Sequence, residues 1–194
     1  MMFRLQLPTD PRWVNIAEMN EAEILTDHAY CEQKAASTAI SLIIRFYDYP
    51  EIVSKMAELA KEEMEHFKRV HDFILQRGYQ LGVERKDEYV NKLIRFIKKG
   101  SGRLQQLIDN LLMAALIEAR SCERFKLLSE QIKDKELSEF YRELMESEAG
   151  HYALFIRLAR NVAPRKKVDK RWAEILDFEA EVILSLENKS AIHG

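Results

Sequence analysis

Two Glu-x-x-His motifs stand out in this chain, Glu63-Met64-Glu65-His66 and Glu148-Ala149-Gly150-His151. Residues three apart lie on one face of a helix, so each motif can offer a carboxylate and an imidazole to the same metal ion. Two more glutamates, Glu32 and Glu118, lie upstream of the motifs, each in an apolar stripe. Four carboxylates and two imidazoles from four helices are the donor set of a carboxylate-bridged pair of iron or manganese ions. Mixed oxygen and nitrogen ligation with open positions suits iron(II) or manganese(II) and leaves room for dioxygen or peroxide. Zinc prefers fewer carboxylates and four-coordination.

One Glu-x-x-His is a weak signal, and phasing makes it stronger. Around Glu32 the stripe reads Leu25, His28/Ala29, Ala35/Ala36, Ala39, Ile43; around Glu63 it reads Met56, Leu59/Ala60, His66/Phe67, Val70, Ile74. Around Glu118 it reads Leu111, Ala114/Ala115, Cys122, Phe125, and around Glu148 it reads Tyr141, Leu144/Met145, His151/Tyr152, Phe155. All four glutamates therefore point where the core should be. An ionised carboxylate buried without a partner costs several kcal/mol or more. No lysine or arginine shares these stripes, and two divalent ions would balance the four charges. In the expected arrangement Glu63 and Glu148 bridge the ions, Glu32 and Glu118 are terminal, and His66 and His151 complete one ion each.

The elements that must position these residues are long helices. With 6 glycines and 4 prolines in 194 residues, turns are few. Asp10-Pro11 opens a short N-terminal helix. Helix one is expected over Glu21 to Tyr47 and helix two from Pro50 to about Arg77, with Gly78 as its stop. A crossover follows, from Tyr79 to Gly100, with a shorter helix near Asp87 to Lys99. Helix three runs from Ser101-Gly102 to near Gln131. Asp134 caps helix four, which runs to about Val162, where Pro164 breaks it; a last helix spans Asp169 to Asn188. The midpoints between paired glutamates fall in or beside the two short loops, so antiparallel packing brings each pair level. Two hairpins joined by a long crossover make an all-α, ferritin-like four-helix bundle with extra N- and C-terminal helices, expected as a single domain over residues 1–194.

Composition excludes several classes. No apolar run is long enough for a transmembrane helix, and the N-terminus lacks a signal-peptide layout. Cys31 and Cys122 form no framework or CxxC pair, which fits a reducing cytosol. A net charge of −2 argues against dominant non-specific nucleic-acid binding and leaves room for a local basic patch. Glu123 is off the face of Glu118, Glu62 and Glu65 flank the second-helix motif, and His71 and His193 read as surface residues. His28 is either a core histidine or a group facing the site. Asp27 or Asp109 could orient the ligand histidines.

Longer segments carry more specific information. Asp27-His28-Ala29-x-Cys31-Glu32-x-Lys34-Ala35-Ala36, Glu62-Glu63-x-Glu65-His66-Phe67, Ile117-Glu118-Ala119-Arg120-Ser121-x-Glu123-Arg124-Phe125 and Ser147-Glu148-x-x-His151-Tyr152 together resemble the tRNA 2-methylthio-N(6)-isopentenyladenosine hydroxylase family. Leu7-Pro8-Thr9-Asp10-Pro11-x-Trp13 and Arg171-Trp172 resemble it too. The resemblance covers nearly the whole chain. It implies oxygen-dependent hydroxylation of the isopentenyl group on the modified adenosine beside the tRNA anticodon. Two iron ions (or manganese) would be the cofactors, dioxygen a co-substrate, and the electrons would come from a separate donor. It also implies a cytoplasmic enzyme and carries the ligand pattern onto Glu32, Glu63, His66, Glu118, Glu148 and His151. Arg165-Lys166-Lys167 with Lys170 and Arg171, and Lys98-Lys99 with Arg103, are the candidate phosphate contacts. Other readings of the same donor set are a ferroxidase, an oxygenase acting on a small molecule or lipid, and a bundle whose metal is purely structural. A peroxide-reducing rubrerythrin relative would also need rubredoxin CxxC pairs, which the chain lacks.

Overall fold

Long runs of helix-forming residues, interrupted at Pro50, Gly78, Gly102 and Pro164, fold into long helices joined by short loops. The computed structural model describes residues 2–97 and 100–186. Among these residues are seven α-helices: α1 (Trp13–Met19), α2 (Glu21–Arg45), α3 (Pro50–Gln76), α4 (Glu88–Leu93), α5 (Arg103–Gln131), α6 (Lys135–Val162) and α7 (Arg165–Leu184). They form two compact units, residues 16–86 and residues 2–15 with 87–186.

In the first unit α2 packs against α3. The connection at residues 46–49 is too short for anything but antiparallel neighbours. Pro50 occupies the first turn of α3, where a missing N–H costs nothing. At the other end Gly78 adopts φ +75°. Its N–H donates to Leu75 O, and the N–H of Tyr79 donates to Ile74 O, closing the helix in a Schellman turn. The extended chain then runs back along α2. Tyr30 Oη donates to Gly82 O, Arg85 pairs with Glu23, and Lys34 pairs with Glu84 at 3.0 Å. A Cβ at position 82 would stand 3.2 Å from Thr26 Cγ2, so glycine allows this close approach.

In the second unit α5 packs against α6 across a three-residue loop. Asp134 caps α6 by accepting from the N–H of Leu137 at 2.9 Å, and Asp87 caps α4 by accepting from Val90 at 2.8 Å. The crossover helix is shorter than expected: α4 ends at Leu93 and tightens into a 3-10 turn over Ile94–Phe96. The last helix starts earlier and stops sooner than expected. Pro164, read as a breaker, instead leads directly into α7, since its fixed φ suits a helix entry. The helix stops at Leu184, where the Ser185 hydroxyl donates back to Val182 O and Lys92 binds the Ser185 carbonyl.

Helix α5 is buried on two sides. Arg120, only 1% exposed, donates to Glu179 on α7, to Glu123, and to the backbone carbonyl of Leu7. Tyr89 donates to the same Glu179 oxygen. Thr9 donates to Glu123 through its N–H and its hydroxyl, Gln6 bonds Asp177, and Arg124 lies 4.7 Å over the Trp13 ring. The N-terminal segment is therefore strapped to α5 and α7. Burial, then the Glu179 charge, push the Tyr89 phenol well above its usual pKa, so it remains a hydrogen-bond donor. Replacing Glu179 with alanine strands the Arg120 charge inside and is expected to cost about 3–5 kcal/mol. Denaturant unfolding checks this, and a loss near zero would show that the network carries no such weight.

Candidate metal centre

In the α2–α3 hairpin the expected donors converge. Glu32, Glu63 and His66 are all buried. His66 Nδ1 lies 3.5 Å from Glu32 Oε2 and 3.5 Å from Glu63 Oε2. One ligand atom from each of the three residues falls within 4.8 Å of the others. Glu63 and His66 meet because they are one turn apart on α3, and Glu32 reaches them because α2 runs antiparallel beside it. On the far side of Glu32, His28 Nε2 is 2.7 Å from Oε1, with both side chains buried. His28 Nε2 and Glu32 Oε1 share a buried hydrogen bond one helical turn apart on α2.

The α5–α6 hairpin repeats the pattern. Glu118, Glu148 and His151 are buried, and their donor atoms also lie within 4.8 Å of one another. His151 Nδ1 is 3.3 Å from Glu148 Oε2. Both Glu-x-x-His motifs thus present Nδ1 towards the carboxylate one turn earlier.

These separations can be tested against an ion. Two donors roughly 2.0–2.2 Å from one metal and at about right-angled to tetrahedral geometry stand about 3.0–3.5 Å apart. A good N–H···O bond is closer to about 2.9 Å. The observed 3.3 and 3.5 Å match donors around a shared ion better than a direct hydrogen bond. The oxygen-rich donor set with one imidazole per hairpin fits iron(II) or manganese(II).

The neighbouring candidates separate clearly. Glu62 and Glu65 face solvent, Glu65 beside Lys61, and His71 stacks on Phe67. Glu123 serves the Thr9 and Arg120 network. Asp109 is buried and accepts from both Nε and Nη2 of Arg171 and from Gln105. It is therefore engaged by α7 instead of orienting a ligand histidine. Cys122 Sγ donates to Met145 O, and burial followed by the Glu148 charge pushes its thiol up to about 12. Sequence reasoning missed the Arg120 and Arg124 network. These residues are four apart on α5, on the side roughly opposite Glu118, and that spacing was the available signal.

Of the basic cluster, Arg171 is committed to Asp109 and Glu174, Lys170 approaches Glu174 at 4.0 Å, and Arg165 approaches Asp169 at 3.4 Å. Lys166 and Lys167 are exposed. Lys167, Lys170 and Arg171 line a surface hollow of about 350 Å³ with Ser101, Gln105, Asp109 and Glu174. Arg103 is exposed at the start of α5. Lys98, Lys99 and His193 lie outside the described residues. No helix among the described residues is long and apolar enough to cross a membrane.

A thiol held near pKa 12 has about one part in ten thousand of thiolate at pH 8. Iodoacetamide at pH 8 is therefore expected to leave Cys122 unmodified in the folded protein, with alkylation appearing only after denaturation. Peptide mass spectrometry decides, and rapid native labelling of Cys122 would contradict the buried thiol.

Comparison with known proteins agrees along the whole chain. Residues 2–194 match the family model described as tRNA-(MS[2]IO[6]A)-hydroxylase (MiaE). A relative from Pseudomonas putida, named tRNA 2-(methylsulfanyl)-N(6)-isopentenyladenosine(37) hydroxylase, is 34% identical, covering 98% of this chain and 91% of the relative. A protein of the same name from Salmonella typhimurium is 27% identical, covering 98% and 87%. A solved structure titled as a protein with aldehyde deformylating oxygenase activity, from Synechococcus, is 36% identical with a TM-score of 0.91, covering 98% of this chain and 95% of that one. The fold class is all-α and ferritin-like, as the paired hairpins in the sequence led us to expect.

Proposed function

The chain belongs to the tRNA-(MS[2]IO[6]A)-hydroxylase (MiaE) family, and from that premise we propose that it hydroxylates the isopentenyl group of 2-methylthio-N(6)-isopentenyladenosine beside the tRNA anticodon. The supporting observation is that a family match along the whole chain coincides with a buried Glu, Glu, His triad in each hairpin. In this reading the two hairpins form one domain and their triads one site for two iron ions. Glu32, Glu63, His66, Glu118, Glu148 and His151 would hold the ions, with Glu63 and Glu148 as the ligands common to both and one imidazole for each ion. Two divalent ions offset the four carboxylate charges. When bound, the iron pair supplies the activation of dioxygen that inserts one oxygen atom into a C–H bond of the substrate. The chain's own residues hold the metals, and apolar neighbours on the same stripes, such as Ala36, Leu59, Ala115 and Leu144, keep water away. Electrons come from a separate donor. Lys166 and Lys167, with the rim of the neighbouring hollow, meet tRNA phosphates, and the enzyme works in the cytoplasm with its tRNA.

One observation favours a second reading. The structural relative with aldehyde deformylating oxygenase activity is as similar in sequence as the Pseudomonas relative, so an oxygenase acting on an aldehyde is the alternative. Incubation of the reduced, iron-loaded protein with oxygen and a 2-methylthio-N(6)-isopentenyladenosine anticodon stem-loop is expected to yield the hydroxylated nucleoside by mass spectrometry. A long-chain aldehyde offered in parallel should be consumed far more slowly. Turnover of the aldehyde alone would reverse the assignment.

Metal content tests the site directly. The wild type is expected to hold about two iron ions per chain, and Glu63→Ala or Glu148→Ala to lose most of them. Full retention in both variants would refute the bridging roles.

A further inference from the structure

We propose that the hollow beside α7 is a subsite for one ribonucleotide, in which Lys167 and Lys170 take a phosphate and Glu174 takes the ribose 2′-hydroxyl; the step rests on the tRNA reading above. Lys167, Lys170, Arg171 and Glu174 follow at steps of three, one and three along α7, so they share one face of it. Ser101, Gln105 and Asp109 line the same hollow at four-residue steps from the start of α5. The space is about 350 Å³, at the small end of the roughly 300–1,000 Å³ of ligand clefts. The signs of the lining choose the ligand. A groove built only for phosphates is lined with cations, because a carboxylate repels them. Here three cations stand with two carboxylates, Asp109 and Glu174, and the one positive charge left over matches one phosphodiester. Asp109 is buried and already accepts from Arg171 and Gln105. Arg171 is spent on Asp109 and on Glu174 Oε2. Three groups remain for a ligand. Lys167 is exposed and has no ion-pair partner among the described residues. The Lys170 ammonium is exposed and 4.0 Å from Glu174 Oε1, too far for a hydrogen bond, and that oxygen is the third group. Cations beside an acceptor oxygen suit an anion joined to a hydrogen-bond donor. A ribonucleotide carries both, and DNA lacks the 2′-hydroxyl. That hydroxyl sits on the carbon next to the one bearing the 3′-phosphate, so both groups fit one short stretch of α7, whereas a base edge lies across the sugar.

Fluorescence anisotropy of the full chain with an unmodified anticodon stem-loop RNA tests this, since binding is read without turnover. Lys167→Ala is expected to weaken binding and to lower the slope of log affinity against log salt by about one. Stem-loops carrying a single 2′-deoxy nucleotide, moved position by position, are expected to reveal a site where the wild type loses about tenfold, the size of a lost hydrogen bond to a charged acceptor. Glu174→Ala is expected to bind that deoxy stem-loop and the all-ribose one equally. Glu174→Gln, whose amide oxygen still accepts, is expected to keep a difference between them. Should Glu174→Ala lose its helical circular dichroism, Glu174→Met, similar in length and without an acceptor oxygen, takes its place. An unchanged salt slope in Lys167→Ala overturns the phosphate contact. The absence of any position whose deoxy cost disappears in Glu174→Ala overturns the hydroxyl contact. Either result, with the wild type still binding the RNA, sinks the subsite alone. A wild type that binds no stem-loop even at low salt overturns the tRNA reading and the subsite with it.

Discussion

The burial of carboxylates inside helices is the constraint on which the rest of this molecule turns. A glutamate is among the worst side chains to remove from water, and its cost is met only by a charge or strong donors close by. Each hairpin buries two, Glu32 with Glu63 and Glu118 with Glu148. That requirement accounts for the helix lengths and for the short connections, which set each glutamate level with its partner on the antiparallel neighbour. Small residues at Ala29, Ala36, Ala115 and Ala119 are buried on the same helices.

The segments that carried the family resemblance divide into two jobs. Those on α2, α3 and α6 surround the acidic donors. Leu7 to Trp13, Arg120 to Arg124 and Arg171-Trp172 do not supply donors. They form a second polar system in which Arg120 gathers Glu179, Glu123 and the Leu7 carbonyl, Arg124 covers Trp13, and Arg171 grips Asp109. Family identity is thus written partly in the residues that fix the N-terminus and α7 onto α5.

Much of this was legible in the sequence because periodicity reports burial directly. The stripes placed all four glutamates inside, and Asp134, Pro50 and Gly78 marked helix ends by local chemistry that needs no tertiary context. What escaped depended on long-range partners. Arg120 reads as an ordinary surface residue until Glu179, far along the chain, appears beside it. Asp109 is equally ambiguous until Arg171 claims it. The start of α7 was misread because Pro164 ends one helix and leads straight into the next. His28 could be placed on the right face, but only coordinates could tell a core histidine from one bonded to Glu32.

Helix α5 is held from both sides: its hairpin partner α6 on one, the arginine system on the other. A rod gripped on opposite faces cannot roll about its long axis without breaking one grip or the other. Changes at the N-terminus, far from Glu118 in sequence, therefore act on the same rod that aims it. Trimming or tagging the strap at Leu7 to Trp13 would loosen the bearing in which that glutamate is set.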